Sequence, residues 1–269
     1  MNVFFLYDLP LGISFLIFTG IFATISILSV LALRPIIKRN WGGGSFNDEI
    51  SYFLSTIGVF YGIMFGLQAA AVWKSYQDVS DRVSNESSAI AALYRDISEF
   101  PKESADQLKQ KLGDYTYYVI HYAWPLHRKG IVKTKGTHYL NLFQKSLYEM
   151  EPTTPADIAL YSEAIKQFNN LIELRRARMT SVGTGIPMVL WIFSISGALI
   201  TIVLASLFYI DNLKLHILLN SLIGLTLGSV MFIMVMMDRP FRGELAIGPD
   251  SYESVYSDLM VGHVPQMEE

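Results

Sequence analysis

The chain has 269 residues, of which 51% are hydrophobic and 17% are charged, and its mean hydropathy is +0.33. Its formal net charge of −3 argues against the basic surface that nucleic-acid-binding proteins use. The chain has no cysteine, which excludes disulfides, thiolate metal sites and cysteine nucleophiles. The apolar residues are concentrated in a few long stretches, and this distribution indicates a membrane protein.

Four segments free of Asp, Glu, Lys and Arg are long enough to cross a bilayer, which takes roughly 20 apolar residues. The first is too long for the apolar core of a signal peptide, and no Lys or Arg precedes it. The third begins near Pro187, because proline is tolerated in the first turn of a helix. The predicted spans are residues 9–33, 50–73, 187–210 and 215–237.

Four crossings place both termini and the long segment between the second and third spans on one side of the membrane. Lys and Arg beside spans favour the cytoplasm. The side with the termini carries Lys74, Arg82, Arg175, Arg176, Arg178, Arg239 and Arg242, and the other side carries Arg34, Lys38, Arg39 and Lys214. We therefore predict a membrane hairpin over 1–73, a helical cytoplasmic domain over 74–185, a second hairpin over 186–240 and a cytoplasmic tail over 241–269.

The second span carries the most informative pattern. A heptad rhythm runs from Ser51 to Ile97, and no proline interrupts it before Pro101. We expect one continuous helix of about 50 residues, about 75 Å long at about 1.5 Å per residue. The membrane part of this seam is small and polar apart from one phenylalanine, and its members are Ser51, Ser55, Gly58, Gly62, Phe65 and Ala69.

Two interpretations of the membrane seam remain open. Small residues on a membrane helix commonly form a packing face, and Phe65 would then fill a gap against a neighbouring helix. Alternatively, the seam lines an aqueous pathway. In that case Ser51 and Ser55 offer hydroxyls to ions, and Phe65 forms a hydrophobic constriction.

Glu86 is the charged member of the seam in the soluble domain, and three roles are open to it. A slight rotation of the helix would put it on a solvated edge, because an ideal helix drifts about 20° per heptad. It could also pair with Arg82, one turn earlier. In an oligomer it would form a ring of carboxylates that attracts cations or repels anions at the cytoplasmic end of a pore.

Three further helices are predicted in the soluble domain. One covers 103–124, with Leu108, Leu112, Tyr115, Val119 and Tyr122 at helical spacing, and another covers 137–150. Thr154 caps the third, with Pro155 at its first position and Asp157 in its first turn. This helix runs towards three arginines that we expect at the membrane surface, facing anionic lipid head groups: Arg175, Arg176 and Arg178.

Catalytic and cofactor motifs are absent from the sequence. The histidines are isolated, and Gly42–Gly44 lacks the Lys-Ser/Thr pair that completes a phosphate loop. No serine sits in a Gly-x-Ser-x-Gly elbow. We therefore expect neither an enzyme nor a bound metal or cofactor.

Short motifs are spread in a characteristic order around the four spans. They are Tyr61-Gly62, Asn85–Ser87, Ala92–Arg95, Phe100-Pro101, Tyr122–Pro125, Arg175–Arg178, Ile186-Pro187, Trp191 and Asp238–Glu244. In this order and spacing the chain resembles the bestrophin-like membrane proteins, a mainly bacterial group.

The chain resembles true bestrophins more distantly. Those are oligomeric ion channels, typically pentamers, whose second span lines the pore. The resemblance implies a homo-oligomer, a pentamer, in a bacterial inner membrane, which passes inorganic ions along the second helix with Phe65 in the neck. The analogy favours anions, whereas a ring of Glu86 would favour cations. The alternative function is a non-conducting membrane scaffold or sensor whose cytoplasmic helices bind a partner.

Overall fold

The computed structural model describes residues 7–40 and 46–267, and the regular structure in these ranges is helical, with no β-strand among them. This confirms the all-α prediction and the long second helix. The helices are α1 (Leu11–Asn40), α2 (Asn47–Ser98), α3 (Lys102–Tyr118), α4 (Trp124–Arg128), α5 (Lys135–Tyr148), α6 (Pro155–Ser181), α7 (Met188–Ser206), α8 (Leu213–Asp238) and α9 (Asp250–Leu259).

Within the part of the chain that the structure describes, four helices are long and apolar enough to cross a membrane: α1, α2, α7 and α8. The four predicted spans are thus confirmed as helices. Helix α1 extends beyond its predicted span, because it continues through Pro35 to Asn40, where the sequence predicts a loop from Arg34. Proline removes one backbone hydrogen bond and leaves the rest of the ladder available. The predicted glycine turn over Gly42–Gly44 lies outside the described residues.

Helices α1 and α8 pack closely and run antiparallel. A Cβ added at Gly224 would lie 2.6 Å from the carbonyl oxygen of Phe22, and one at Gly228 would lie 2.9 Å from that of Phe18. Larger residues at these positions would therefore push the helices apart. The two glycines form a helix-packing face, as small-xxx-small pairs commonly do in membranes.

The chain divides into two compact units. The membrane unit draws on Met1–Tyr76 and Gly185–Asp238, and the helical unit draws on Gln77–Thr184 and Arg239–Glu269. The sequence assigns the C-terminal residues to a separate tail, but this is wrong, because Tyr252 and Met260 are buried in the core of the helical unit. The indole Nε1 of Trp124 also donates to the carbonyl oxygen of Ile247 at 3.1 Å.

Local sequence signals explain how α6 begins. The Oγ1 atom of Thr154 accepts from the backbone N–H of Asp157 at 3.1 Å, and the carboxylate of Asp157 accepts from the backbone N–H of Thr154 at 3.1 Å. This reciprocal pair satisfies two N–H groups that a helix start leaves unbonded. The predicted cap is therefore confirmed.

Candidate functional site

One face of the membrane part of α2 packs within its own subunit. It carries Tyr61, Phe65, Gln68 and Val72, all of them buried. The rings of Tyr61 and Phe65 stack with their centroids 5.1 Å apart, and the Tyr61 hydroxyl donates to the carbonyl oxygen of Ser194 at 2.8 Å. Intervals of four, three and four residues place these side chains on a single helix face.

A second face of α2 is unpacked in the single subunit. We call it the open face, and it consists of Ser51, Ser55, Val59, Gly62 and Gly66. At about 100° per residue these positions lie within about 40° of Ser55 on the helix. The five residues are exposed, and a Cβ at either glycine would meet nothing within 4 Å. Two other members of the predicted seam, Gly58 and Ala69, are half-buried at its border.

Phe65 does not belong to the open face, and the structure corrects its predicted role as a constriction. Its side chain is 5% exposed and packs with Met231 and Met234 of α8 inside the membrane unit. The reason is the drift of a regular helix against a seven-residue repeat, about 20° per heptad. Two heptads separate Ser51 from Phe65, so the seam rotates by about 40° towards the packed face over that distance.

Glu86 lies in a buried ion pair, and the structure corrects all three predicted roles. The residue is 0% exposed. Its Oε2 accepts from the Nε of Arg178 at 2.7 Å, and its Oε1 accepts from the Nη2 of Arg178 at 3.1 Å. The hydroxyl of Tyr115 donates to the same Oε1 at 2.7 Å. Glu86 therefore presents no free carboxylate to solvent or to a pore, and Arg82 donates instead to the Oγ of Ser181 at 2.8 Å.

The guanidinium of Arg178 is enclosed on its remaining sides. It lies 5.6 Å from the ring centroid of Trp124 and 5.8 Å from that of Tyr252. Its Nη1 is 3.1 Å from the Nδ1 of His127. Burial, together with the positive charges of Arg178 and Arg175, lowers the pKa of His127 to about 3. The imidazole is therefore neutral near pH 7, and its Nδ1 accepts the hydrogen bond. We call Glu86, Arg178, Tyr115, His127, Trp124 and Tyr252 the buried charge network.

The three arginines expected at the membrane surface have different surroundings. Arg178 is 1% exposed in the buried charge network, and Arg175 is buried and donates to the Oγ1 of Thr137 at 3.0 Å. Their predicted contact with lipid head groups is therefore wrong. Residues three apart share a helix face, and this face of α6 points into the helical unit. Arg176 is exposed, and its lipid contact stays a prediction.

A π-helical turn over Val119–Ala123 orients the aromatic part of the network. A π-turn adds one residue to a helical turn and rotates everything that follows. With this rotation, Trp124 and His127 are buried on the same side as Tyr115, whereas Tyr122 is exposed. The predicted helix face that includes Tyr122 is therefore wrong after Val119. The predicted end of this helix at residue 124 is also wrong, because α4 continues through Pro125 to Arg128.

Sequence reasoning missed the buried charge network as a unit. The available signal was Glu86 on an apolar seam, because a buried carboxylate requires a nearby cation. Three of the scattered motifs, Asn85–Ser87, Tyr122–Pro125 and Arg175–Arg178, meet in this network. In the described ranges, no group of three or more His, Asp or Glu side chains is arranged to hold a metal ion.

Comparisons with known proteins agree with this architecture. The family model described as the Bestrophin-like domain matches residues 20–252. No curated protein sequence matches the chain. A bacterial bestrophin homologue from Klebsiella pneumoniae has a similar solved structure, with a TM-score of 0.68 and 11% identity over 93% of this chain and 99% of that chain. A singly substituted membrane protein gives a TM-score of 0.70 at 11% identity, over 92% and 98%. At this identity the likeness concerns the fold.

Proposed function

Because this chain belongs to the Bestrophin-like family, we propose that it is an oligomeric ion channel whose pathway is lined by the open face of α2. The observation that carries the proposal is that a membrane helix leaves two serines and two glycines unpacked by its own subunit. One copy of this face cannot enclose a pathway. Several copies are therefore required, and the resemblance to bestrophins favours a homopentamer.

The chemistry of the open face suits a water-filled path better than a lipid contact. Lipid tails favour large apolar side chains, whereas hydroxyls and bare backbone gain nothing from them. In a ring of subunits, Ser51 and Ser55 would offer oxygen atoms to a partly dehydrated ion. Gly62 and Gly66 would widen the path, because they carry no side chain.

Val59 replaces Phe65 as the proposed constriction. Its side chain is 60% exposed in the single subunit, and it lies on the open face between Ser55 and Gly62. A ring of branched apolar side chains at this level would restrict the path and gate it by dewetting. Replacing Val59 with Ala should therefore raise the ion flux.

The choice between anions and small cations depends on the open face, since Glu86 is buried in its own subunit. The open face carries no charged side chain, so hydroxyl and backbone dipoles would provide the selectivity. Reversal potentials in asymmetric potassium chloride would identify the permeating ion.

The absence of cysteine makes a direct test of the pathway possible. A single Cys at Ser55 should let a water-soluble thiosulfonate reagent block flux through protein reconstituted in liposomes. The matched control is Phe60→Cys, since Phe60 is 71% exposed but lies about 140° from Ser55 around the helix. Equal sensitivity of both variants, or a silent protein that is a folded oligomer, would refute the proposal, and silence would favour a non-conducting scaffold.

The helical unit is proposed to lie in the cytoplasm, below a bacterial inner membrane. The support is the excess of Lys and Arg on that side of the spans. A Cys placed at the exposed Lys145 should be labelled by an impermeant reagent only after the cells are broken open. Labelling of intact cells would reverse the orientation.

A further inference from the structure

Among the described residues of the membrane unit, four buried polar atoms have no hydrogen-bond partner in the protein. They are Ser26 Oγ, Arg34 Nη1, His216 Nδ1 and Asn220 Oδ1. His216 and Asn220 are each 2% exposed, and Ser26 is fully buried. Lipid tails offer no hydrogen bonds to such groups, and unsatisfied polar groups are costly inside a membrane, so these four atoms require another partner.

The packing of α1 on α8 aligns these atoms in one column. Gly228 meets Phe18 and Thr19, and Gly224 meets Phe22. In this antiparallel register, Asn220 is level with Ser26, and its Nδ2 donates to the Ser26 carbonyl oxygen at 2.9 Å. His216 lies one turn further along α8, in the direction of Arg34.

The hydrogen bonds already present determine whether each of these atoms is a donor or an acceptor. The Nδ2 of Asn220 donates to Ser26 and to the Oγ of Ser206, so its Oδ1 is an acceptor. The Nε2 of His216 lies 3.5 Å from the carbonyl oxygen of Ala205, which makes Nε2 the protonated nitrogen and Nδ1 an acceptor.

The other two members of the column supply protons. The Nη2 of Arg34 already donates to the carbonyl oxygen of Asp211 at 2.6 Å, and its Nη1 can only donate. The hydroxyl of Ser26 can donate and accept. The column therefore contains two acceptors, one donor and one group that can play either role.

We propose that this column is a binding site for buried water molecules inside the membrane unit. Water donates and accepts, so it matches a mixed set of donors and acceptors, and buried waters typically make about three hydrogen bonds. One water would bridge Arg34 to His216, and another would bridge Asn220 to Ser26. An anion would meet two acceptors, and a metal cation would meet the guanidinium. None of these residues lies on α2, so the site is separate from the proposed ion path.

Hydroxyl-radical footprinting of the intact wild-type oligomer tests the site directly, because radicals formed from a bound water oxidise the side chains beside it. His216 should be oxidised at a rate comparable with that of the exposed His138, despite its burial. Met231 and Met234, buried in an apolar cluster of the same unit, are the dry controls. If His216 reacts as slowly as these methionines, the proposal is wrong.

A substitution gives an independent test. Ser26→Ala removes a hydroxyl that has no protein partner, so a dry site predicts an unchanged or higher melting temperature. A water-bonded hydroxyl predicts a fall of about 2–4 °C. Ser221→Ala is the control, because its hydroxyl is exposed and bonds only the carbonyl oxygen of Leu218. In crystals grown with bromide, an anomalous peak beside Arg34 would identify a halide there and overturn the assignment of water.

Discussion

Replacing Glu86 with Gln should destabilise the protein severely, because it leaves the guanidinium of Arg178 buried without a counter-charge. The substitution removes a carboxylate that accepts hydrogen bonds at 2.7 and 3.1 Å from Arg178 and at 2.7 Å from Tyr115. Removing one partner of a buried ion pair lowers the free energy of unfolding by about 3–5 kcal/mol. Arginine cannot shed its proton, so its charge stays in the core without a partner.

The reciprocal change separates this explanation from simple loss of packing. Arg178→Met also leaves a buried charge, the carboxylate of Glu86, without its partner. The double variant should be less destabilised than the sum of the two single variants, because it contains no unpaired charge.

The assay is thermal unfolding of the purified oligomer in detergent, followed by tryptophan fluorescence. At about 2–4 °C per kcal/mol for a chain of this size, Glu86→Gln should lower the melting temperature by roughly 6–20 °C. Lys166→Met is the matched control, because its pair with Glu163 at 3.4 Å is exposed and such pairs contribute about 0–1 kcal/mol. An effect of Glu86→Gln no larger than the control, or strict additivity in the double variant, would refute the reasoning.

Three further outcomes are expected. The free energy of unfolding should fall as the pH drops from about 6.5 towards 3, because the unfolded chain protonates His127 and the folded chain does not. The loss at pH 5 is about 2 kcal/mol. His127→Phe should flatten this part of a profile of stability against pH. Phe65→Ala should lower the melting temperature through lost stacking on Tyr61, without raising the ion flux in liposomes. A raised flux would instead support the original prediction that Phe65 forms the constriction. Gly113→Ala should loosen the C-terminal segment, because the new Cβ would lie 2.4 Å from the ring of His263. Limited proteolysis would then cleave this segment earlier than in the wild type. An unchanged digestion pattern would contradict the tight contact.

The membrane architecture was predictable because each span is defined locally. Length and the absence of charge identify a spanning helix without knowledge of its neighbours. The continuity of α2 followed from the lack of proline before Pro101, and the start of α6 followed from the capping pair of Thr154 and Asp157. These features depend on residues at most a few turns apart.

The roles of single residues were less accessible, because they depend on distant partners and on small rotations. A drift of about 40° decides whether Phe65 faces its own subunit or a pathway, and a heptad pattern does not fix that angle. Glu86 and Arg178 are 92 positions apart in the chain, so no local rule joins them. The exposure of Tyr122 results from a π-turn that the spacing of apolar residues does not predict.

The π-turn at Val119–Ala123 also bears on how relatives of this chain should be aligned and altered. Such turns arise when a single residue is inserted into an α-helix that stays otherwise intact. A relative one residue shorter between Tyr115 and Trp124 would keep a regular helix there, and its aromatic residue would turn away from Arg178. Relatives without a gap in this segment should therefore keep the arginine–glutamate pair, and relatives with a one-residue gap should have replaced both charged residues.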